Sequence, residues 1–406
     1  MPLVGITLFA LSPLPAQSNT TLSPPSDSVK TIHAARMIDG RGHLVRDAWV
    51  DVRGRRIIRV YSNPAPRRPA TWELGDVTLL PGMIDAHVHL ADYITKAGVP
   101  HRNSDGDTPA QSALAEAGNA YADLMAGFTT IQSLGSADDL DVRDAVNSWQ
   151  LPGPRILTAV APIRNRDTVL TTDSLRGRVR SAKARGADVI KVFAADDLDP
   201  ARSVQTISDA QLSAICDEAK SQGLRTVVHA LNPSSIRGAT LAGCTTVEHG
   251  FFATVDDLRL MAARGTSFDP QVCLVMRTYL DHRDLNKLSD SAAAVMNRLL
   301  PIAAATFKRA LATPGLKVIF GTDAVPLQHG RNAEELICRV QAGQTPMDAI
   351  TSATYATAEA MGLGNHLGVV ADGYDADLIA VRGNPLEDIS VLRDVLFVMR
   401  SGVRFK

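Results

Sequence analysis

Residues 223–249, GLRTVVHALNPSSIRGATLAGCTTVEH, contain the pattern that decides the fold. Gly223 and Gly243 each follow a helical stretch, and a β-branched run that ends in histidine begins two or three residues after each glycine. Glycine just past a helix C-terminus readily adopts the left-handed conformation that caps the helix. Each unit therefore predicts a helix that ends at the glycine and a strand that starts shortly afterwards.

The same unit recurs through the middle of the chain, where helix starts such as Ser208 and Thr254 precede helical stretches. The other glycines followed by a β-branched run are Gly127, Gly153, Gly186, Gly265 and Gly315. With Met83–Leu90 these runs make eight candidate strands alternating with helices, which predicts an α/β fold with a (β/α)8 TIM barrel. An open doubly wound sheet is the alternative, because strand count does not prove closure. No GxGxxG or GxxxxGK[ST] motif follows the strands, which argues against nucleotide binding.

Both ends of the chain contain short strands broken by glycine and proline, as antiparallel sheets do. We expect the two ends to form one small β-sandwich domain, with residues 19–80 as its N-terminal half and residues 367–406 as its C-terminal half. Residues 81–366 then form the barrel of a metal-dependent hydrolase.

The first residues have features of an export signal. Val4–Leu11 is apolar, is too short to span a bilayer, and is followed by proline and small residues, although no basic residue precedes it. We expect residues 1–18 to be a signal peptide, which implies a periplasmic or secreted protein. A disordered apolar tail on a cytoplasmic protein is the alternative.

The composition excludes several classes of protein. Hydrophobic residues make up 45% of the 406 residues and charged residues 21%, so disordered and coiled-coil chains are excluded. The net charge of −1 predicts neither a nucleic-acid nor a membrane partner, and a small molecule is the expected one. The four cysteines contain no CxxC pair, so we expect small buried thiols rather than a zinc ribbon or a disulfide framework.

His87 and His89 interrupt the apolar run Met83–Leu90. Because alternate residues of a strand face the same side, both imidazoles point into the predicted barrel near its carboxyl end, where active sites form. Two imidazoles placed in this way can bind one divalent cation. Two hydrogen-bonded structural histidines are the alternative.

Lys191 lies within a buried strand, where a lysine is costly unless it is paired or chemically changed. A salt bridge across the barrel mouth would explain it, and a carbamate formed with carbon dioxide is the alternative. His229, His249 and Asp323 lie at the carboxyl ends of three further strands. Metal-ligand residue types on five strands, all opening on one rim, predict a metal site.

The chain resembles the amidohydrolase superfamily from about Val29 to its C-terminus. The motifs that carry the resemblance are His87-Val88-His89, Lys191, His229, Glu248-His249-Gly250 and Gly321-Thr322-Asp323-Ala324. The chain is similar in particular to the imidazolonepropionase-like branch, which contains metal-dependent Xaa-Pro dipeptidases (prolidases) and ochratoxin A-type N-acyl amino acid amidohydrolases.

The resemblance implies two divalent metal ions per chain, with zinc expected. One ion is held by His87, His89 and Asp323 and the second by His229 and His249, and a carbamate on Lys191, derived from CO2, bridges them. It also implies a homo-oligomer.

The implied reaction is hydrolysis of an amide or peptide bond by a metal-bridging hydroxide, with release of a C-terminal amino acid. Asp323 is the expected catalytic residue, which moves the water proton to the departing amine. Candidate substrates are Xaa-Pro or similar dipeptides and N-acyl amino acids, including ochratoxin A. Glu248 directly precedes His249 in the sequence, and we expect its side chain to face away from the site and to be structural.

Substrate contacts are less well defined by the sequence. Leu231 stands where dipeptidases of this branch often carry an aromatic residue, which suits a larger apolar acyl group. Arg164 and Arg166 are candidates for binding a carboxylate, although solvated loop charges are the favoured alternative. His329 is a candidate for a substrate contact or a loop hydrogen bond. The alternative functions are a lactonase or phosphotriesterase, a cyclic-amide hydrolase or deaminase, and an inactive scaffold.

Overall fold

The computed structural model describes residues 24–62, 69–101, 105–164, 167 and 169–406. The predicted signal peptide and Arg166 lie outside these described residues. The strands are β1 Lys30–Ile38, β2 Leu44–Arg53, β3 Arg56–Tyr61, β4 Trp72–Glu73, β5 Val77–Pro81, β6 Met83–Val88, β7 Phe128–Ser133, β8 Arg155–Thr158, β9 Val189–Phe193, β10 Arg225–Ala230, β11 Thr246–His249, β12 Ser267–Asp269, β13 Leu378–Arg382, β14 Val395–Arg400 and β15 Val403–Arg404.

The helices fill the intervals between the central strands. They are α1 Pro109–Met125, α2 Asp139–Asn147, α3 Thr172–Ala184, α4 Asp209–Ser221, α5 Pro233–Leu241, α6 Val255–Arg264, α7 Leu274–Asp281, α8 Asp290–Leu311, α9 Ala333–Gln341, α10 Pro346–Thr351 and α11 Thr357–Ala360, with a π-helical turn at Ser352–Ala356 and a 3-10 turn at Ile389–Arg393. Among the helices of the described ranges, none is both long and apolar enough to cross a membrane.

The helix boundaries confirm the local signals in the sequence. Ser208 caps α4 and Thr254 caps α6, and each side chain accepts a hydrogen bond from a backbone N–H in the first turn of its helix. Gly265 ends α6 with φ of 72°, a left-handed conformation that glycine adopts at no steric cost. The predicted mixed α/β architecture is therefore confirmed.

The central strands form two parallel sheets. One contains β6, β7 and β8, and the other contains β9, β10, β11 and β12, each in chain order. Parallel neighbours bring the carboxyl ends of their strands to the same edge, because the intervening helices return the chain to the other edge. The seven strands correspond to seven of the eight predicted strands.

The eighth predicted strand, after Gly315, is not a regular strand, so that prediction is corrected in part. Its backbone still pairs on both sides. The N–H of Phe268 donates to the carbonyl of Lys317 at 2.8 Å, and the N–H of Ile319 donates to the carbonyl of Phe268 at 2.9 Å. The N–H of Ala86 in β6 donates to the carbonyl of Phe320 at 2.9 Å. This segment therefore connects β12 of one parallel sheet to β6 of the other.

Hydrogen bonds also join the other two edges of the parallel sheets. The N–H of Asp188, just before β9, donates to the carbonyl of Thr158 in β8 at 2.9 Å. Ile163 accepts from the N–H of Phe193 and donates to the carbonyl of Lys191, both at 2.9 Å. These hydrogen bonds connect the β8 side of one parallel sheet to β9 of the other.

The two chain ends contribute to one sheet, in the order β15-β14-β13-β5-β1-β2-β3, with β4 beside β1. Val50 and Ile57 from the N-terminal strands pack in one buried cluster with Phe397 and Met399 from the C-terminal strands. The sheet therefore curls around a core of its own. The two-sheet sandwich remains a prediction, since all eight strands belong to one sheet.

The cysteines are paired, which makes the prediction of small buried thiols wrong. The disulfides are Cys216–Cys244 and Cys273–Cys338. Their partners are 28 and 65 residues apart in sequence, so only the tertiary fold brings them together and no local spacing could reveal them.

We expect the denatured, unreduced protein to contain no alkylatable thiol, and four after reduction. Each disulfide should raise the free energy of unfolding by about 3–4 kcal/mol, because it restricts the unfolded chain. Intact mass after alkylation and denaturant titration with and without reductant measure these two quantities. Alkylation of the unreduced, denatured protein would contradict the disulfide assignment.

Arg393, in the 3-10 turn near the C-terminus, pairs with Glu334 in α9 through two hydrogen bonds of 2.6 Å. These bonds lower the pKa of Glu334. The stabilisation is complete above the unfolded-state pKa of about 4.5 and is lost as the pH falls through the lower folded-state value.

Glu334→Gln should therefore lower the free energy of unfolding at pH 7 by about 0.5–1 kcal/mol, since the arginine is half exposed and water screens the pair. Urea unfolding of both proteins at pH 7 and at pH 4 checks this, with Asp217→Asn, at an exposed carboxylate on α4, as a control for net charge. A difference between wild type and Glu334→Gln that grows on acidification would show that the pair does not act in this way.

Candidate metal centre

The six residues singled out in the sequence lie together at the carboxyl ends of the parallel strands. His87 is in β6 and His89 is one residue past its end, Lys191 is inside β9, and His229 is in β10. His249 is the last residue of β11, and Asp323 follows the segment that connects β12 to β6. Distant parts of the sequence therefore converge on one small volume.

Three of these side chains form a tight group. The Nε2 atoms of His87 and His89 are 3.2 Å apart, and they lie 3.1 Å and 3.0 Å from Oδ1 of Asp323. One carboxylate oxygen and two imidazole nitrogens thus face a common point. This donor set suits a divalent cation such as zinc.

Lys191 lies next to this group and is fully buried. Its Nζ is 3.3 Å from Nε2 of His87 and 5.1 Å from the ring centre of Phe193. Burial lowers the pKa of Lys191, because the apolar surroundings disfavour its charged form. Within the described residues no carboxylate pairs directly with the amine, so the predicted salt bridge across the mouth is not observed.

His229 and His249 form a second group. Their ring centres are 4.4 Å apart, and the ring of His249 is 5.4 Å from that of His87. Burial lowers the pKa of His229 to about 3 and that of His249 well below its usual value. Both imidazoles are therefore neutral at pH 7, which is the form that binds metals.

The protonation of the first group also fits a metal. The Nδ1 atom of His87 lies 2.7 Å from Oε2 of the buried Glu248, and burial raises the pKa of Glu248 to about 7. In the tautomer that binds a metal through Nε2, the Nδ1–H donates a hydrogen bond to this carboxyl group. Although burial raises the pKa of Asp323, the charges of and hydrogen bonds with His87 and His89 hold it well below the usual value. An ionised carboxylate therefore faces the two Nε2 atoms at which a metal would bind.

Glu248 faces the site, so the expectation that it points away is wrong. Strand alternation would separate the side chains of Glu248 and His249, but His249 has φ of 64°, in the left-handed region. This turn ends the strand and lets both neighbours line the site. Asp323 has φ of 56° and leaves its own segment in the same way.

Two further residues, which the sequence did not indicate, form hydrogen bonds with the backbone next to the candidate ligands. The carboxylate of Asp85 accepts hydrogen bonds from the N–H of His87 and from the N–H and hydroxyl of Thr322, at 2.7–3.1 Å. The side-chain oxygen of Gln271 accepts from the N–H of His249 at 3.1 Å. Asp85 lies on the same strand as the histidine pair, which is the one signal that could have indicated it.

The weaker candidates occupy different positions. His329 is nearly buried and bridges Oδ2 of Asp123 at 2.9 Å and the carbonyl of His89 at 3.2 Å. This arrangement corresponds to the loop hydrogen-bonding role rather than to a substrate contact. Arg164 stacks over Phe193 at the rim, and Arg166 lies outside the described residues.

Comparison with known proteins identifies the class. A sequence profile described as the amidohydrolase family matches residues 78–404, which is most of the chain. The chain therefore belongs to the amidohydrolase family, whose members are generally metal-dependent, and the resemblance carried by the motifs is confirmed.

An ochratoxinase is among the similar proteins. The chain is 26% identical to the ochratoxinase of Aspergillus niger over 98% of this chain and 92% of that protein. The crystal structure of A. niger ochratoxinase matches with a TM-score of 0.80 at 25% identity, over 95% of this chain and 96% of that one.

Two other relatives extend the comparison. The crystal structure of an Xaa-Pro dipeptidase with methionine in its active site matches with a TM-score of 0.83 at 27% identity, over 93% of this chain and all of that one. The imidazolonepropionase of Deinococcus deserti is 26% identical over 87% of this chain and 88% of that protein. This chain is accordingly a hydrolase that acts on amide bonds.

Glu248→Gln should weaken the binding of divalent metal about 10- to 100-fold, because an amide accepts the Nδ1 proton of His87 less well and no longer fixes its orientation. Competition with a chelator of known affinity measures the change. Glu116→Gln is a matched control, since burial raises the pKa of this second buried glutamate to about 9 and an amide resembles its neutral form.

Unchanged metal affinity in Glu248→Gln would show that Glu248 does not position His87 for metal binding. An equal loss in Glu116→Gln would show that any buried glutamate substitution disturbs the fold.

Proposed function

We propose that this protein is a binuclear metal-dependent amidohydrolase that releases a C-terminal amino acid from N-acyl amino acids or dipeptides. The observation that carries the proposal is the convergence of His87, His89 and Asp323 with His229 and His249 around the buried Lys191. Ochratoxinase and an Xaa-Pro dipeptidase among the similar proteins support a substrate of this kind.

The side chains divide into two sets of ligands. His87, His89 and Asp323 would hold one ion, and His229 and His249 would hold the second. Lys191 would serve both sets after its neutral amine attacks the carbon of CO2 and releases one proton, which leaves an anionic carbamate on Nζ. The burial of Lys191 supports this step, because a neutral amine is the nucleophile that CO2 requires.

When bound, the two divalent ions, for which zinc is the expected metal, would supply an activated water near neutral pH and would polarise the scissile carbonyl. Asp323 is ionised and lies at the rim, so its carboxylate can accept the proton of the attacking water. It can then donate this proton to the amide nitrogen, which leaves readily only as an amine. The carboxylate would thus act first as general base and then as general acid.

Apolar residues that follow three of the candidate ligands in sequence, called the apolar wall below, support an apolar acyl group in the substrate. Leu231, Phe251 and Val325 each lie two residues past His229, His249 or Asp323. They belong to one buried cluster with residues of α7 and α8, among them Val275, Met276 and Leu299. Burying an aliphatic or aromatic group against such a wall contributes roughly 25 cal/mol per Å² of apolar surface removed from water.

The barrel is part of the same proposal. Hydrogen bonds join the two parallel sheets through Lys317–Phe320 at one edge and between β8 and β9 at the other. We infer from them one closed (β/α)8 barrel, in which the site lies at the carboxyl-terminal mouth as in other barrel enzymes.

The location and assembly are proposed on separate grounds. Two disulfides favour an oxidising compartment, such as the periplasm or the cell exterior, which agrees with a signal peptide at residues 1–18. A homo-oligomer is proposed from the family resemblance alone.

Lys191→Ala should lose bound metal and hydrolytic activity together, because the variant cannot form the shared ligand. Elemental analysis gives metal per chain, and a melting curve tests whether the variant is folded. Lys220→Ala, at an exposed lysine on α4, is the control and should keep both properties. A folded Lys191→Ala protein with full metal content and activity would show that a carbamate on Lys191 is not needed to hold the metals.

The substrate class is tested with metal-loaded protein, a chelated sample and a library of dipeptides and N-acyl amino acids with apolar and polar acyl groups. Mass spectrometry of the released amino acids should show chelator-sensitive release that favours apolar acyl groups. No release from any member by protein that holds two metals would contradict the proposed function and would direct attention to esters, lactones or phosphotriesters.

A further inference from the structure

Arg164 is held at the rim of the metal centre by a buried anchor. Asp167 is buried, its carboxylate accepts a hydrogen bond from the N–H of Arg164 at 3.0 Å, and its own N–H donates to the carbonyl of Arg164 at 2.8 Å. The other carboxylate oxygen of Asp167 pairs with Arg178 at 3.1 Å. The backbone at Arg164 is therefore fixed in place before any ligand binds.

The guanidinium of Arg164 is connected to a proposed metal ligand through one aromatic ring. Its Cζ lies 4.2 Å from the ring centre of Phe193, in contact with the aromatic face. The ring of Phe193 lies in turn 5.1 Å from the ring of His229. Arg164, Phe193 and His229 thus form a continuous row from the loop to the site.

Stacking on an aromatic ring fixes the plane of a guanidinium and keeps its N–H groups in that plane, directed past the ring. A planar fork of donors held in this way matches the two oxygens of a carboxylate. The contact with Phe193 also reduces the entropy that the side chain would lose on binding.

We propose that Arg164 is a specificity-determining residue that binds the free carboxylate of the departing amino acid. This inference rests on the proposed function, in which the amine half of the substrate is an amino acid. In such a substrate the carboxylate carbon lies about 2.5 Å from the scissile nitrogen, because only Cα separates them. Its binding partner must therefore lie at the rim of the metal centre, where Arg164 lies.

The neighbouring strand supports the same assignment. Leu231, which follows His229 at the end of β10, is buried and apolar, and its side chain offers no hydrogen bond to a carboxylate. A cationic group from another loop, such as Arg164, can supply the hydrogen bonds that Leu231 does not. The apolar wall that contains Leu231 is left for the acyl half.

The test compares the most rapidly cleaved N-acyl amino acid with the same compound carrying a C-terminal carboxamide. Wild type should prefer the acid, and Arg164→Gln should lower kcat/KM for the acid about 10- to 100-fold, mainly through KM, while the carboxamide changes little. Arg164→Lys should recover part of the preference, because it keeps the charge and loses the planar fork. Arg259→Gln, at an exposed arginine on α6, should match wild type.

A binding measurement separates this inference from the proposed reaction. Calorimetry of wild type and Arg164→Gln with L-methionine, L-proline and L-phenylalanine, each beside its carboxamide, requires no turnover. Tighter binding of at least one acid by wild type, reduced at least tenfold in Arg164→Gln, supports Arg164 even if the library shows no hydrolysis. Equal binding of acid and carboxamide by wild type, or a preference retained in the folded Arg164→Gln protein, overturns the role of Arg164 and leaves the proposed function standing.

Discussion

The contact between the imidazole of His87 and the carboxyl group of Glu248 is the interaction on which the arrangement of the site depends. It joins strand β6 to strand β11 across the interior of the fold, with both partners buried. The carboxyl group of Glu248 can accept a hydrogen bond from Nδ1–H of His87, which orients Nε2 towards His89, Lys191 and Asp323. A buried carboxyl group costs stability unless it is hydrogen-bonded, and the contacts with His87 and Gln271 supply such bonds to Glu248.

Further buried charged groups next to Glu248 connect the site to the core of the fold. Asp269, at the end of β12, is also fully buried, and burial together with the charge of Glu248 raises its pKa well above the usual value. The guanidinium of Arg339 lies 3.3 Å from Asp269, is itself fully buried, and donates to the carbonyl of Ile319 at 2.6 Å. One buried arginine thereby links α9, β12 and the segment that precedes Asp323. These contacts help to hold the backbone that bears the candidate ligands in place.

Much of this arrangement could be predicted from the sequence, because the strands and the ligands follow local rules. Glycine caps followed by β-branched runs predicted strands β7 to β12. Histidines and an aspartate at carboxyl ends, with a lysine inside a strand, indicated the six candidate site residues. What the sequence could not provide depends on backbone turns and distant contacts. The left-handed φ of His249 lets its side chain line the site together with that of Glu248, against strand alternation. The disulfides and the role of Asp85 require knowing which distant segments meet.

The central claim is that these six side chains hold two metal ions in separate but adjacent sites. Anomalous diffraction from crystals of the zinc-loaded protein, recorded on both sides of the zinc absorption edge, tests it most directly. The account predicts two anomalous peaks per chain, one among His87, His89 and Asp323 and one beside His229 and His249, with density beyond Nζ of Lys191 between them. A single peak, or peaks away from these residues, would contradict it.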